Sequence, residues 1–271
     1  MGDKYLRVAN IVILAVLLVS ALVFKKWEHV NYLWDCVYAT SLLLVVSVVS
    51  WALASRKYLT TIIAALFVKN LRLSCSYLYK INVGDYYLLV KSRKHSKYQP
   101  VGGNFKRNQY SSSFLSNIEV KKDEYFTNGD RSAEDLRLFI KGSDLQKYLK
   151  WYNAPNKQRE VSYDREFYEE LVEPGFVSGK IFPFPKIDFR KQIVTPVFYS
   201  EHLKCKEVHI YDIVELIPTQ KQKEYLQQLI DKGNTDNYIW VDATTIRNEG
   251  YQQAAKGSQH HITDHSKEIL V

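Results

Sequence analysis

Three cysteines, one methionine, seven prolines and eleven glycines in 271 residues are sparse allowances, and each scarcity excludes something. Cys36, Cys75 and Cys205 are too few and too scattered for a disulfide framework, and no pair has the close spacing of a zinc site. So little glycine and proline rules out collagen-like or low-complexity chains, and 46% hydrophobic residues rule out a disordered one. Charge is scarce in one place only. The first 55 residues hold four basic and three acidic side chains, while the remainder carries 33 basic and 26 acidic ones. The chain is made of two materials.

Val8 to Phe24 contains no charge and is flanked by Lys4, Arg7, Lys25 and Lys26; Cys36 to Ala54 is equally uncharged and closes at Arg56 and Lys57. At about 1.5 Å per residue, runs of this length cross roughly 30 Å of hydrocarbon, which predicts transmembrane helices at about 8–26 and 34–54. Lys25-Lys26-Trp27 is a poor small-residue cleavage site, so the first run reads as a span rather than a removable leader. The short turn between the runs places Trp27, Tyr32 and Trp34 where interfacial aromatics belong. The lysine and arginine bias puts both termini in the cytoplasm. The lipid bilayer is therefore an expected partner.

The expected organisation is a membrane hairpin over 1–55, a connector helix over 56–80, a cytosolic domain over 81–255 and a polar tail over 256–271. In the connector, Leu59, Ile62, Ile63, Leu66 and Phe67 share one helical face. Beyond it, Tyr86–Lys91 reads as a buried strand, and PVGGNF follows with two glycines that let backbone approach something closely. Ser132 and Asp135 form a capping-box pattern that predicts a helix through 135–153 with a break at Gly142. A charged helix follows, stopped by Pro174 and Gly175. Strands are expected at Ile193–Tyr199, Glu207–Leu216 and Tyr238–Val241, with helices at Gln220–Asp231 and after the last strand. Alternation of this kind is α/β.

Glu166, Glu169, Glu170 and Glu173 stand at helical spacings of zero, three, four and seven, which puts four carboxylates on one face. Such crowding calls for a cation, and hard oxygen ligands suit Mg²⁺ or Mn²⁺ and, through them, phosphate. The plain alternative is a solvated face relieved by Arg159 and Arg165. Lys91, Arg93, Lys94, His95 and Lys97 surround the turn after the Tyr86–Lys91 strand and are the candidate phosphate contacts, against a solvated hairpin tip. His260, His261, Asp264 and His265 fall in the tail and are read as a mobile polar tract; His202 and His209 are read as structural.

The string YLLVKSRKHSKYQPVGG resembles the first strand and glycine turn of Nudix domains, and Arg165-Glu166-Phe167-Tyr168-Glu169-Glu170 is similar to the core of the Nudix box. The closing YIWVDATTIRN resembles the late strand and helix of that fold. The resemblance implies an α/β/α sandwich in which Glu166, Glu169 and Glu170 hold a divalent metal against a diphosphate and Arg165 positions the carboxylates. Trp151 and Lys157 stand where the box usually has a glycine and a glutamate, so half the box is missing.

Two spans followed by a degenerate box resemble a narrower group, the two-transmembrane Nudix effectors of bacterial cyclic-oligonucleotide antiphage systems (CBASS), whose soluble part is the SMODS-associated Nudix domain. That resemblance implies a cyclic oligonucleotide ligand contacting Arg93, Lys94, His95, Lys97, Gly102 and Gly103. It also implies a partner nucleotidyltransferase (CD-NTase), homo-oligomers on activation, and membrane disruption leading to cell death. No metal is required on this reading. The competing expectation is a membrane-tethered, Mg²⁺-dependent Nudix hydrolase of nucleoside-diphosphate-linked compounds, with Glu166, Glu169, Glu170 and Arg165 as its catalytic residues.

Overall fold

The computed structural model describes residues 39, 41–43, 45–50, 58–92, 96–108, 110–123, 134–155, 159–160, 162–251 and 260–270. The chain divides into two compact units, Met1–Ile63 and Ala64–Val271. In the first, residues 39, 41–43 and 45–50 are helical, and Ser47 donates its hydroxyl to the Leu43 carbonyl at 2.7 Å. A hydroxyl turned back onto its own helix needs no other partner. Among the described residues no helix is long and apolar enough to cross a membrane; the expected span 8–26 and much of 34–54 lie outside them.

A short helix, α1 (Leu59–Ala65), opens the described part of the connector. Its apolar face is not the expected one. Thr61, Ile62 and Ala65 are buried, whereas Ile63, Leu66 and Phe67 are exposed, Phe67 at 93%. The connector also ends earlier than residue 80, because Leu71–Lys80 is a strand, β1. The elements then run β2 (Asn82–Val83), β3 (Tyr86–Lys91), β4 (Tyr98–Gln99), β5 (Gly102–Asn104), α2 (Ser111–Asn117), β6 (Lys121–Lys122) and β7 (Arg137–Ile140). After a 3₁₀ turn at Gly142–Asp144 come α3 (Leu145–Tyr152) and α4 (Asp164–Phe167), which continues as a π-helical turn over Tyr168–Val172. The chain closes with β8 (Ile187–Val194), β9 (Phe198–Ser200), β10 (Cys205–Leu216), α5 (Gln220–Asp231), β11 (Tyr238–Asp242), α6 (Ala243–Tyr251) and a 3₁₀ turn at Asp264–Ile269.

Seven strands form a mixed sheet in the order β6-β7-β1-β10-β8, with β5 also on β1 and β9 also on β10. At its centre β1 and β10 run parallel, from Leu71 opposite Lys206 to Lys80 opposite Glu215. The second sheet is antiparallel, β11-β3-β2 with β4 on β3. This is an α/β domain, as expected, and it is built on two sheets.

The odd-numbered residues of β1 face the helices. Cys75 meets the Tyr148 hydroxyl on α3 at 3.1 Å, and Tyr77 and Tyr79 pack against Phe105, Tyr163 and Phe167. Burial pushes the Cys75 thiol up to about 12, so it is an inert core residue. Tyr152 finds Asp212 with its hydroxyl at 3.4 Å, and the Arg159 guanidinium lies 3.9 Å over the Tyr152 ring and 3.6 Å from Asp212. Each large side chain buried here stabilises by about 1.5–3 kcal/mol. On the other face Leu78 joins Leu89, Ile213, Ile239, Val241, Ile246, Ile262 and Ile269 in a core between the sheets. The last two belong to the stretch expected to be a mobile tail. Two isoleucines and a stack of His265 on Tyr211 dock it instead.

The helix expected across 135–153 is correct only for α3. Leu136, Leu138 and Ile140 also alternate, and β1 offers a paired edge from Leu71 to Ser74, so 137–140 joins the sheet. Gly142 then fits where no side chain could: its N–H donates to the Val68 carbonyl at 2.8 Å, and an added Cβ would lie 1.9 Å from the Ala65 carbonyl oxygen. Gly142→Ala is therefore expected to destabilise the domain by about 2 kcal/mol, read as a lower thermal midpoint of the full-length protein in detergent. An unchanged midpoint would show that the α1–β1 turn can move aside.

Candidate functional site

The charged helix begins at Asp164 and ends sooner than its sequence suggests. Its second half widens into the π-helical turn over Tyr168–Val172, and Pro174 and Gly175 (φ +78°) close it. The expected four-carboxylate face does not persist, since Glu173 lies beyond the helical turns and is exposed.

Arg165 is the hub of the remaining three. Its Nη1 donates to Glu166 Oε1 at 2.5 Å and lies 3.6 Å from Glu169 Oε2; its Nε donates to Glu160 Oε1 at 3.1 Å, and its Nη2 to the Asn104 carbonyl at 2.9 Å. Glu160 in turn accepts the Lys106 backbone N–H at 2.9 Å. Glu170 turns to the other glycine strand residue, accepting the Gly102 N–H at 3.0 Å. The close approaches that the glycine pair permits are thus internal. A Cβ on Gly103 would sit 2.0 Å from Glu166 Oε1, and one on Gly102 would sit 2.1 Å from the Tyr77 carbonyl.

Burial raises the Glu166 carboxyl above the ordinary carboxylate range; Arg165 pulls it back, while Glu169 and Asp135 add to the rise. Asp135, beside Arg137 at 2.6 Å, is likewise raised by burial. As a metal cradle the arrangement fits poorly. Among the described residues no three His, Cys, Asp or Glu side chains converge as ligands, because the three carboxylates are shared out to Arg165 and the Gly102 amide.

The expected phosphate contacts are divided. Arg93, Lys94 and His95 lie outside the described residues. Lys91 is exposed and Lys97 half-buried on the β3–β4 hairpin, which is closed by the Ser92 N–H on the Lys97 carbonyl at 2.8 Å. That hairpin belongs to the four-stranded sheet, whereas Gly102 and Gly103 sit on the seven-stranded one. Sequence reasoning missed Glu160 and Asn104, whose roles arise only when β5 and α4 meet. It also left His209 structural, and His209 bonds Glu207 at 2.9 Å and the Tyr211 hydroxyl at 2.6 Å.

A mixed sheet with a central parallel pair, backed by an Arg-Glu-Phe-Tyr-Glu-Glu helix that locks onto a diglycine strand, is the plan of a Nudix-type domain. Residues 70–270 match the family model described as the SMODS-associated NUDIX domain, and the chain belongs to that family. No curated protein and no solved structure gives a match.

The raised Glu166 yields a prediction with a definite sign. A carboxyl whose folded pKa exceeds its unfolded one adds stability below the unfolded value and loses it as pH rises through the folded value. Glu166→Gln, which keeps the acceptor without the charge, should therefore melt at or above wild type at pH 8, with the difference closing near pH 4. A large loss of stability at pH 8 would mean that the Arg165 pair outweighs burial.

Proposed function

We propose that this protein is a membrane effector of a CBASS-type antiphage system. Its Nudix-like domain binds a cyclic oligonucleotide made by a partner nucleotidyltransferase, and its amino-terminal helices then cluster and disrupt the inner membrane. The family match carries this reading, since the name SMODS-associated NUDIX domain suggests a CBASS-type effector. Three further features support it. The sequence holds two uncharged runs long enough to span. Leu66 and Phe67 stay exposed just after the second run, followed by Lys69, a composition suited to a lipid interface. Glu166, Glu169 and Glu170 are engaged within the protein, as suits a binder better than a metal-dependent catalyst. A ligand can act only by favouring the clustered state over the dispersed one.

The hydrolase reading keeps one observation, the intact Arg165-Glu166-Phe167-Tyr168-Glu169-Glu170 string. Both readings meet in one assay. Full-length protein in detergent is heated with cyclic di- and trinucleotides, with and without Mg²⁺, while each nucleotide is followed for consumption. A specific rise in thermal midpoint without consumption is expected, because binding stabilises by mass action. Mg²⁺-dependent consumption would overturn the effector reading in favour of hydrolysis.

The membrane step is tested in cells supplied with the nucleotide that binds. Polar substitutions such as Leu42→Asn with Val45→Asn should abolish triggered depolarisation, whereas Glu169→Gln with Glu170→Gln should leave it intact. Depolarisation that survives the span substitutions would refute a role for the hairpin.

A further inference from the structure

The strand register gathers separate stretches of chain at one end of the large sheet. This is the end where β1 starts: Leu71 stands opposite Lys206 on β10 and Ile140 on β7, and β9 turns back so that Tyr199 also stands opposite Lys206. The turn at 201–204 between β9 and β10 therefore lies there, as do Lys141 after β7 and Glu119 before β6, which meet at 2.7 Å. Residues 66–70, which lead into β1, complete it. Their place is fixed by the Gly142 N–H on the Val68 carbonyl at 2.8 Å.

Two kinds of group are exposed together at this end. Phe67 is 93% exposed and Tyr199 53%, with Leu66 also open to solvent. Scattered apolar residues are ordinary on a surface, but these stand among lysines. Lys69, Lys121, Lys122 and Lys206 are exposed and form no ion pair among the described residues. The exposed acids here are matched, Glu119 by Lys141 and Glu201 by Lys204 at 3.2 Å. Beneath them the buried Arg72 lies between Asp123 and Glu207, which leaves at most one negative charge against four unpaired lysines. At the opposite end of the β1–β10 pair the charges cancel, since Lys80 and Arg190 both reach Glu215 and Arg190 stands 3.7 Å from Asp188.

Chain connectivity decides what this surface meets. Only residues 55–63 separate the second uncharged run, which closes at Ala54, from the folded domain that begins at Ala64. Even fully extended they reach about 30 Å, so a bilayer that holds the hairpin is always within range of the end that receives the connector. We propose that this end of the sheet docks on the anionic lipid headgroups of the membrane that holds the hairpin. Lys69, Lys121, Lys122 and Lys206 face lipid phosphate, and Phe67 and Tyr199 enter the headgroup layer. The assignment rests on the membrane hairpin of the effector reading and adds a second, peripheral contact to it. Each lysine brought to an anionic leaflet favours contact roughly fivefold, so docking depends on lipid charge and weakens with salt.

The test uses full-length protein in nanodiscs of phosphatidylcholine, with or without phosphatidylglycerol, read by hydrogen exchange. Amides of residues 66–70 and 201–204 should exchange at least about fivefold more slowly in the anionic discs, while the β2–β3 turn at Gly84, beyond the other end of β1, exchanges equally in both. Lys69→Glu with Lys206→Glu should remove the difference without lowering the thermal midpoint, since both side chains are exposed. Equal wild-type exchange in the two lipids, or a difference that the double substitution leaves intact, would overturn the docking surface and leave the hairpin standing. Wild type that cannot be held in discs without detergent would instead remove the hairpin, and the docking with it.

Discussion

The parallel pairing of β1 with β10 is the constraint on which the rest of the domain depends. Parallel strands survive only when both faces are covered, since their side chains point alternately into two layers. Ten consecutive residue pairs, Leu71–Lys206 to Lys80–Glu215, impose that demand along the whole length of β1. One layer is met by α3 and α4 with a cluster of tyrosines and phenylalanines, the other by the second sheet, α6 and the docked C-terminal turn. Where covering is incomplete, at Ser74 and His209, the residues are polar and half-buried.

That demand also shaped which elements were legible. The strand Tyr86–Lys91 and the helix Gln220–Asp231 were readable, the one from a short apolar run and the other from its spacing; Thr219 and Gln222 complete a capping box at the start of that helix. The central strand β1 was hidden in the expected connector. Arg72 and Lys80 interrupt its apolar pattern, and Arg72 is buried only because Asp123 and Glu207 arrive from far along the chain. The 137–140 segment satisfied two periods at once, and pairing with β1 chose between them. The tail read as mobile because Ile262 and Ile269 are isolated among polar residues; nothing local reveals a waiting core.

The candidate site was half legible for a similar reason. Helical spacing correctly grouped Glu166, Glu169 and Glu170, but spacing cannot say what a carboxylate is bound to. The answer came from Arg165 next in sequence and from Gly102, Gly103 and Asn104, some sixty positions earlier. A helix widened by a π turn then separated Glu173 from the group.

Both faces of the sheet hold their charged groups within the protein. On the α4 side one guanidinium serves Glu160, Glu166 and Glu169, and a backbone amide serves Glu170. Recruiting those carboxylates to a cation would require breaking bonds whose other halves are partly buried, leaving Arg165 with fewer partners in a low-dielectric setting. On the opposite side the charges are engaged as well, Arg137 with Asp135 at 2.6 Å and His209 with Glu207 at 2.9 Å. Asn104 touches both, with its carbonyl on Arg165 and its amide on Ser74. Loosening Asn104 would therefore release both the Arg165 hub and the Ser74 hydroxyl, so this one residue couples the packing of the two faces.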